Sequence, residues 1–164
     1  MTAEQLNELL YSYEEKAAIE LFECDCTLFS LLYSKYKDTP YADIPDTFFM
    51  FMEIDGWQGM SLRCGVWQYY ESGSYENGKL ERVKACLEAQ GEKEMADIFS
   101  IGIHDYTAPE YGQNFGYPQK WLEEAENIDS WIYDNDEYIY NWKRRLVLSH
   151  KDEILKLAED KLSI

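Results

Sequence analysis

Seven carboxylates stand within one short stretch, Glu123, Glu124, Glu126, Asp129, Asp134, Asp136 and Glu137, and no lysine or arginine lies among them. Residues three and four apart on a helix sit ~5–6 Å from each other, so such a stretch can hold fixed rows of negative charge. DNA presents one phosphate charge per ~1.7 Å of axis, both strands counted, and helical rows of acid can imitate it toward a basic protein. If Leu122, Ala125, Ile128, Trp131, Ile132, Tyr138, Ile139 and Trp142 face inward, the seven acids share the opposite side with Tyr133 and Tyr140. These nine residues form the candidate partner-binding face. The alternative for the same residues is an ordinary solvated helix face, although such faces usually mix the two signs of charge. A thinner acidic set is Asp38, Asp43 and Asp46.

Other combinations point less clearly to chemistry. In His104-Asp105 an acid can orient an imidazole as a general base, yet no serine or cysteine nucleophile is placed beside it by a motif. A histidine at a helix end also caps carbonyls, which is the simpler reading. His150, among Lys and Arg, reads as a surface residue. Asp134-Asn135-Asp136 opens like a calcium loop, but Tyr138 and Ile139 break the required pattern. Cys24-Asp25-Cys26 puts two thiols on different sides of a helix, and no histidine stands at zinc-finger spacing. Cys24, Cys26, Cys64 and Cys86 therefore read as reduced, mostly buried thiols. There is no phosphate-binding glycine loop and no HExxH. These residues indicate a binding protein rather than an enzyme, with no metal and no cofactor.

The whole chain has 164 residues, a length that suits one domain, residues 1–164. Thirty-two Asp and Glu against fifteen Lys and Arg give a net charge of -17. Such a charge repels nucleic acid and anionic membranes and attracts basic partners. It is unevenly spread: residues 105–142 carry nine acids and one base, whereas residues 61–104 carry seven and five. The N-terminus lacks a basic and apolar leader, and no run approaches a membrane span, so the expected location is the cytoplasm. Fourteen Tyr and five Trp leave aromatic surface for a homodimer.

Helical periodicity places these residues. Thr2 with Gln5 reads as a capping box. Ser12 with Glu14 and Glu15 restarts a helix that continues to Lys37. Pro45 opens a buried helix, Thr47 to Glu53, which Asp55-Gly56 ends. Gln58–Ser72 keeps helical spacing through Met60, Cys64, Trp67 and Tyr70. Helices follow at Glu76–Gln90, with Gly91 as the residue beyond its end, and at Glu92–Ile103. Residues 104–118 are irregular. Pro118 starts another helix, a break falls at Asp134-Asn135-Asp136, and Glu137–Leu162 closes the chain as one helix or two, with Ser149 as a second cap. No alternation marks a strand. The expected fold is all-α, a single compact multi-helix domain of about seven to nine helices without significant sheet.

Glu53, Asp55-Gly56, Gly65, Gln68-Tyr69-Tyr70, Ser72-Gly73, Ala85 to Leu87, Gly91 and Ala96-Asp97-Ile98 occur in the order seen in a bacterial DNA-mimic protein family, a small acidic all-helical domain formerly catalogued as one of unknown function. The central block, about a third of the chain, resembles that family. It departs at Arg63-Cys64-Gly65-Val66-Trp67, where the family has Asn-Gly-Gly-Phe. The resemblance implies a basic DNA-binding partner, a helix-turn-helix regulator, whose DNA-binding face the carboxylates would occupy. An immunity-type or antitoxin-like inhibitor of a basic toxin is the alternative, and an enzyme using His104 is a third.

Overall fold

The computed structural model describes residues 1–112 and 116–159. Among these residues the regular elements are ten α-helices, nine of them of seven residues or more, with two 3₁₀ turns and no strand. The contacts gather into two compact units, Met1–Met52 with Asp136–Ile164, and Glu53–Asn135.

In the first unit, α1 (Ala3–Glu15) begins at the expected capping box. The Thr2 N–H donates to Gln5 Oε1 at 2.9 Å and the Gln5 N–H donates to Thr2 Oγ1 at 3.2 Å. The expected restart at Ser12 does not occur. The Ser12 hydroxyl instead donates to the Glu8 carbonyl at 3.1 Å, and the helix runs on. The break falls at Lys16 and Ala17, both extended, and a 3₁₀ turn (Ala18–Leu21) precedes α2 (Phe22–Tyr36). The expected long helix to Lys37 is thereby split. The Arg144 guanidinium, distant in sequence, donates to the Lys16 carbonyl, and Glu20 accepts from the Ala17 N–H at 3.0 Å.

A second 3₁₀ turn (Tyr41–Asp43) leads to α3 (Asp46–Cys64), whose Phe48, Phe49, Met50 and Phe51 are all buried. Asp55-Gly56 does not end it. Ile54 and Trp57 on the next turn are fully buried, and burying them outweighs the ~1 kcal/mol that a mid-helix glycine costs. The chain passes into the second unit within α3. There follow α4 (Trp67–Ser74), α5 (Lys79–Ala89), α6 (Lys93–Ile101), the short α7 (Pro109–Gly112) and α8 (Gln119–Asp134). The expected helix Gln58–Ser72 is divided at Gly65, whose φ of 98° is open to glycine but not to other residues. Gly91, at φ 79°, ends α5 as its position suggested. The first unit is completed by α9 (Asp136–Ser149) and α10 (Lys151–Glu159). Residues 113–115 of the irregular stretch and 160–162 of the expected last helix lie outside the described residues.

Each unit has a polar contact inside its core. In the first, Lys143 Nζ lies 2.6 Å from Asp25 Oδ2, and the Tyr13 hydroxyl donates to Asp25 Oδ1 at 2.6 Å. All three side chains are buried, and the ammonium also lies 4.7 Å from the centre of the Tyr140 ring. In the second, the Trp57 indole donates to the Tyr70 hydroxyl at 2.9 Å, which donates to the Phe99 carbonyl at 2.8 Å. Trp57, Tyr69, Tyr70 and Phe99 form a mutually packed aromatic core around this relay.

Lys143→Met is expected to cost about 3–5 kcal/mol in urea unfolding, because it strands a buried carboxylate, and adding Asp25→Leu should recover most of the loss. Tyr70→Phe is expected to cost about 1–3 kcal/mol by leaving the Trp57 N–H without its acceptor, while the Phe99 carbonyl keeps the Gly102 N–H at 3.4 Å. Burial also holds Tyr69 and Tyr70 well above the ordinary tyrosine range, with Glu53 adding to the effect at Tyr69. The unfolded chain therefore gives up phenolic protons that the folded chain keeps. Stability should be complete below about pH 10 and fall as the pH rises beyond it, with tyrosinate absorbance appearing together with unfolding.

Candidate functional site

The acidic helix α8 starts after Pro118 and buries Ala125, Ile128 and Ile132, three apolar positions at helical spacing. Its outer stripe consists of Glu123, Glu126, Asn127, Ser130, Tyr133 and Asp134, all exposed. Tyr133 is 76% exposed. Four of the nine expected face residues therefore lie together on α8: Glu123, Glu126, Tyr133 and Asp134.

The other five differ. Glu124 is half-buried, with Oε2 2.7 Å from His104 Nε2 and Oε1 3.5 Å from Lys120 Nζ. Asp129 turns toward the body of its unit, where Oδ1 accepts from the Ser61 hydroxyl at 2.6 Å and from the Val66 N–H at 3.0 Å. Its role is structural: it clamps the turn between α3 and α4 in which Gly65 sits. A Cβ at Gly65 would meet the Trp67 ring at 3.1 Å and Asp129 Oδ2 at 3.6 Å. Asp136, Glu137 and Tyr140 belong to the other unit. Glu137 is exposed, Asp136 is half-buried, and Tyr140 is buried, 5% exposed, beneath Lys143. Placing Tyr140 on an open face is thus corrected. Asn135 interrupts the helical phase, so spacing measured across it no longer identifies one face.

Around His104 the structure assembles a second cluster. The imidazole stacks on Trp121 with ring centres 4.3 Å apart and planes 2° from parallel. An ionised carboxylate only accepts, so Nε2 is the donor toward Glu124, and in the neutral imidazole Nδ1 is then the nitrogen without a proton. Tyr106, Tyr111 and Tyr117 pack on Trp121, and the Tyr117 hydroxyl donates to Glu71. Burial, with Glu124 and Glu71 nearby, pushes Tyr106 up to about 12, and Tyr117 also lies above its ordinary value. His104 and Asp105 border a cavity of about 310 Å³, the lower end of ligand-site volumes, alongside Ser74, Glu76, Asn77 and Glu81. The Ser74 hydroxyl donates to the Glu71 carbonyl at 2.8 Å. Glu124 as the partner of His104 was not recognisable in the sequence, since twenty residues and no motif connect them. The carbonyl-capping expectation for His104 is replaced by this side-chain contact with Glu124. His150 is half-buried, with Nδ1 2.8 Å from the Leu146 carbonyl.

Of the thiols only Cys24 is buried. Cys26 and Cys64 are exposed and Cys86 is half-buried, which corrects the expectation of mostly buried cysteines. Cys24 and Cys26 do point to different sides of α2. Among the described residues no group of three or more His, Cys, Asp or Glu could hold a metal ion, and no helix is long and apolar enough to cross a membrane. In comparisons with protein-family models, curated proteins and solved structures, none matches this chain.

Asp129→Ala is expected to lower stability by about 1–3 kcal/mol, since it leaves the Val66 N–H and Ser61 hydroxyl without an acceptor. Glu126→Ala on the outer stripe should change stability by less than about 0.5 kcal/mol in the same urea titration.

Proposed function

We propose that this protein is an acidic binding module that docks onto the basic, DNA-binding surface of another protein, with the outer stripe of α8 as its contact face. The observation that carries this reading is the exposure of Glu123, Glu126, Asp134 and Tyr133 on one side of a single helix. Glu123 to Asp134 spans about 16 Å at 1.5 Å per residue. One DNA strand presents about five phosphates over that length, so three carboxylates imitate part of a strand rather than a duplex. Tyr133 supplies apolar contact within the charge row. The net charge of -17 adds long-range steering toward a basic partner. The resemblance to DNA-mimic proteins favours a helix-turn-helix regulator as the partner, and an antitoxin-like role would use the same face against a basic toxin.

The test uses the full chain to capture partners, followed by challenge with duplex DNA. DNA should displace the partner, and binding should weaken steeply from low to physiological salt. Neutralising Glu123, Glu126 and Asp134 to the amides should slow association about tenfold or more. A partner that duplex DNA leaves in place would sink the mimic reading and favour the inhibitor. Binding unchanged in the triple variant would remove α8 from the interface.

A second reading rests on His104, because its imidazole is held by a carboxylate at the edge of a cavity. With Glu124 fixing the tautomer, Nδ1 is the nitrogen that would take a proton from water in a hydrolytic reaction. Turnover of an activated ester by the wild type that falls at least about tenfold in His104→Gln would support it. Equal rates in the two proteins would dismiss it.

A further inference from the structure

The outer face of α2 carries an apolar stripe that the acidic reading leaves unexplained. Phe22, Cys26, Phe29 and Tyr33 recur at four, three and four residues, so they share one side of the helix. Ile19 stands just before it. Ile19 is 74% exposed, Phe22 53% and Tyr33 56%, and the rings of Phe29 and Tyr33 stack with centres 6.1 Å apart. Beside this aromatic ridge runs a groove of about 520 Å³ lined by Cys26, Thr27, Ser30, Leu31 and Ser34 of α2 and by Met1. The Thr27 hydroxyl donates to the Glu23 carbonyl and the Ser30 hydroxyl to the Cys26 carbonyl, both at 2.8 Å. Covering the groove therefore strands neither hydroxyl.

We infer that this face joins two copies of the chain, packing α2 antiparallel against the α2 of a second copy. Three observations favour a second copy over another occupant. The surface is complementary to itself: the ridge at Phe22, Phe29 and Tyr33 fits the small-residue groove of an antiparallel neighbour, as ridges seat in grooves between helices. The charges are reciprocal along the axis, with Glu20 and Glu23 at the start of the helix and Lys35 and Lys37 at its end, where Lys37 Nζ also lies 3.9 Å from Asp38 Oδ2. An antiparallel partner brings Glu23 of each copy toward Lys37 of the other, and a chain of -17 can approach its like only where local charges offset. The size also agrees. With ~150–250 Å² for each large side chain, the exposed parts of Ile19, Phe22 and Tyr33 supply roughly 350 Å² of apolar area per copy. A standard interface needs about 450 Å² of apolar area within 800 Å² per partner, and Phe29 with the groove floor provides the rest.

The face belongs to the first unit, so its test stands apart from that of α8. Light scattering on the eluted protein should give twice the chain mass of 19.4 kDa. Phe22→Glu with Tyr33→Glu should convert it to the monomer mass with an unchanged helical circular dichroism spectrum, because both side chains are exposed. Glu23→Lys or Lys37→Glu alone should raise the dissociation constant about tenfold, and the two together should restore it. In a variant whose other exposed or half-exposed thiols are removed (Cys64→Ser, Cys86→Ser), a bis-maleimide spanning about 13 Å should link the two Cys26 residues, which the antiparallel register sets ~12 Å apart along the axis. A wild-type monomer at the highest soluble concentration overturns the inference, and so does a dimer that survives Phe22→Glu with Tyr33→Glu. Capture of a different protein by this face with no self-association overturns it equally.

Discussion

A carboxylate withdrawn from water has to be given donors, and this constraint organises much of the structure. The effective cost of burying an ion is several kcal/mol, recovered only when its lone pairs meet well-placed partners. Asp25 receives Lys143 and Tyr13, which ties α2 to α9 and α1. Glu53 accepts from the Tyr69 hydroxyl at 2.7 Å and lies 3.1 Å from Lys79, joining α3, α4 and α5. Asp129 clamps the turn around Gly65 from α8, and Glu124 fastens His104 to the same helix. In these four places an acid acts as a structural cross-link between segments distant in sequence.

The same constraint sorts the remaining charge. On α8, the acids that reach inward are consumed by Ser61, Val66 and His104, and those left outside form a narrow stripe rather than the broad face that a count of carboxylates suggests. The proposed contact with a basic partner therefore rests on three carboxylates of α8, Glu123, Glu126 and Asp134. On α2 an apolar stripe faces outward beside the polar Thr27, Ser30 and Ser34, and acids at the start of the helix give way to Lys35 and Lys37, followed by Asp38, at its end. The two surfaces suit opposite kinds of approach. One attracts a cationic partner at long range, whereas the other works only after close contact has excluded water.

Much of the helix order was legible in the chain. Thr2 with Gln5, Gly91, Pro118 and Asn135 each mark a helix boundary through local backbone chemistry, and the structure places boundaries at all four. The misplaced boundaries share another character. Ser12 and Gly56 are weak breakers, and the burial of neighbouring side chains, Tyr13 in one case and Ile54 with Trp57 in the other, carries the helix through both. Lys16 and Ala17 carry no breaking residue at all, and the kink is held there by Arg144. For the candidate site, the identity of α8 as the acidic helix followed from composition. The withdrawal of Glu124, Asp129 and Tyr140 did not, because each depends on a partner between three and sixty-eight residues away.

The sequence by itself determined the all-α class, the excess of acid and the caps at several helix ends. These properties depend on residue type and on spacings within a few turns of helix. Only the tertiary structure decided which carboxylates face solvent, that His104 pairs with Glu124 beside a cavity, and that α2 turns an aromatic stripe outward. Helical spacing defines a face only relative to the helix itself. Which face meets the interior depends on what packs against it, and that is set by contacts with elements far along the chain.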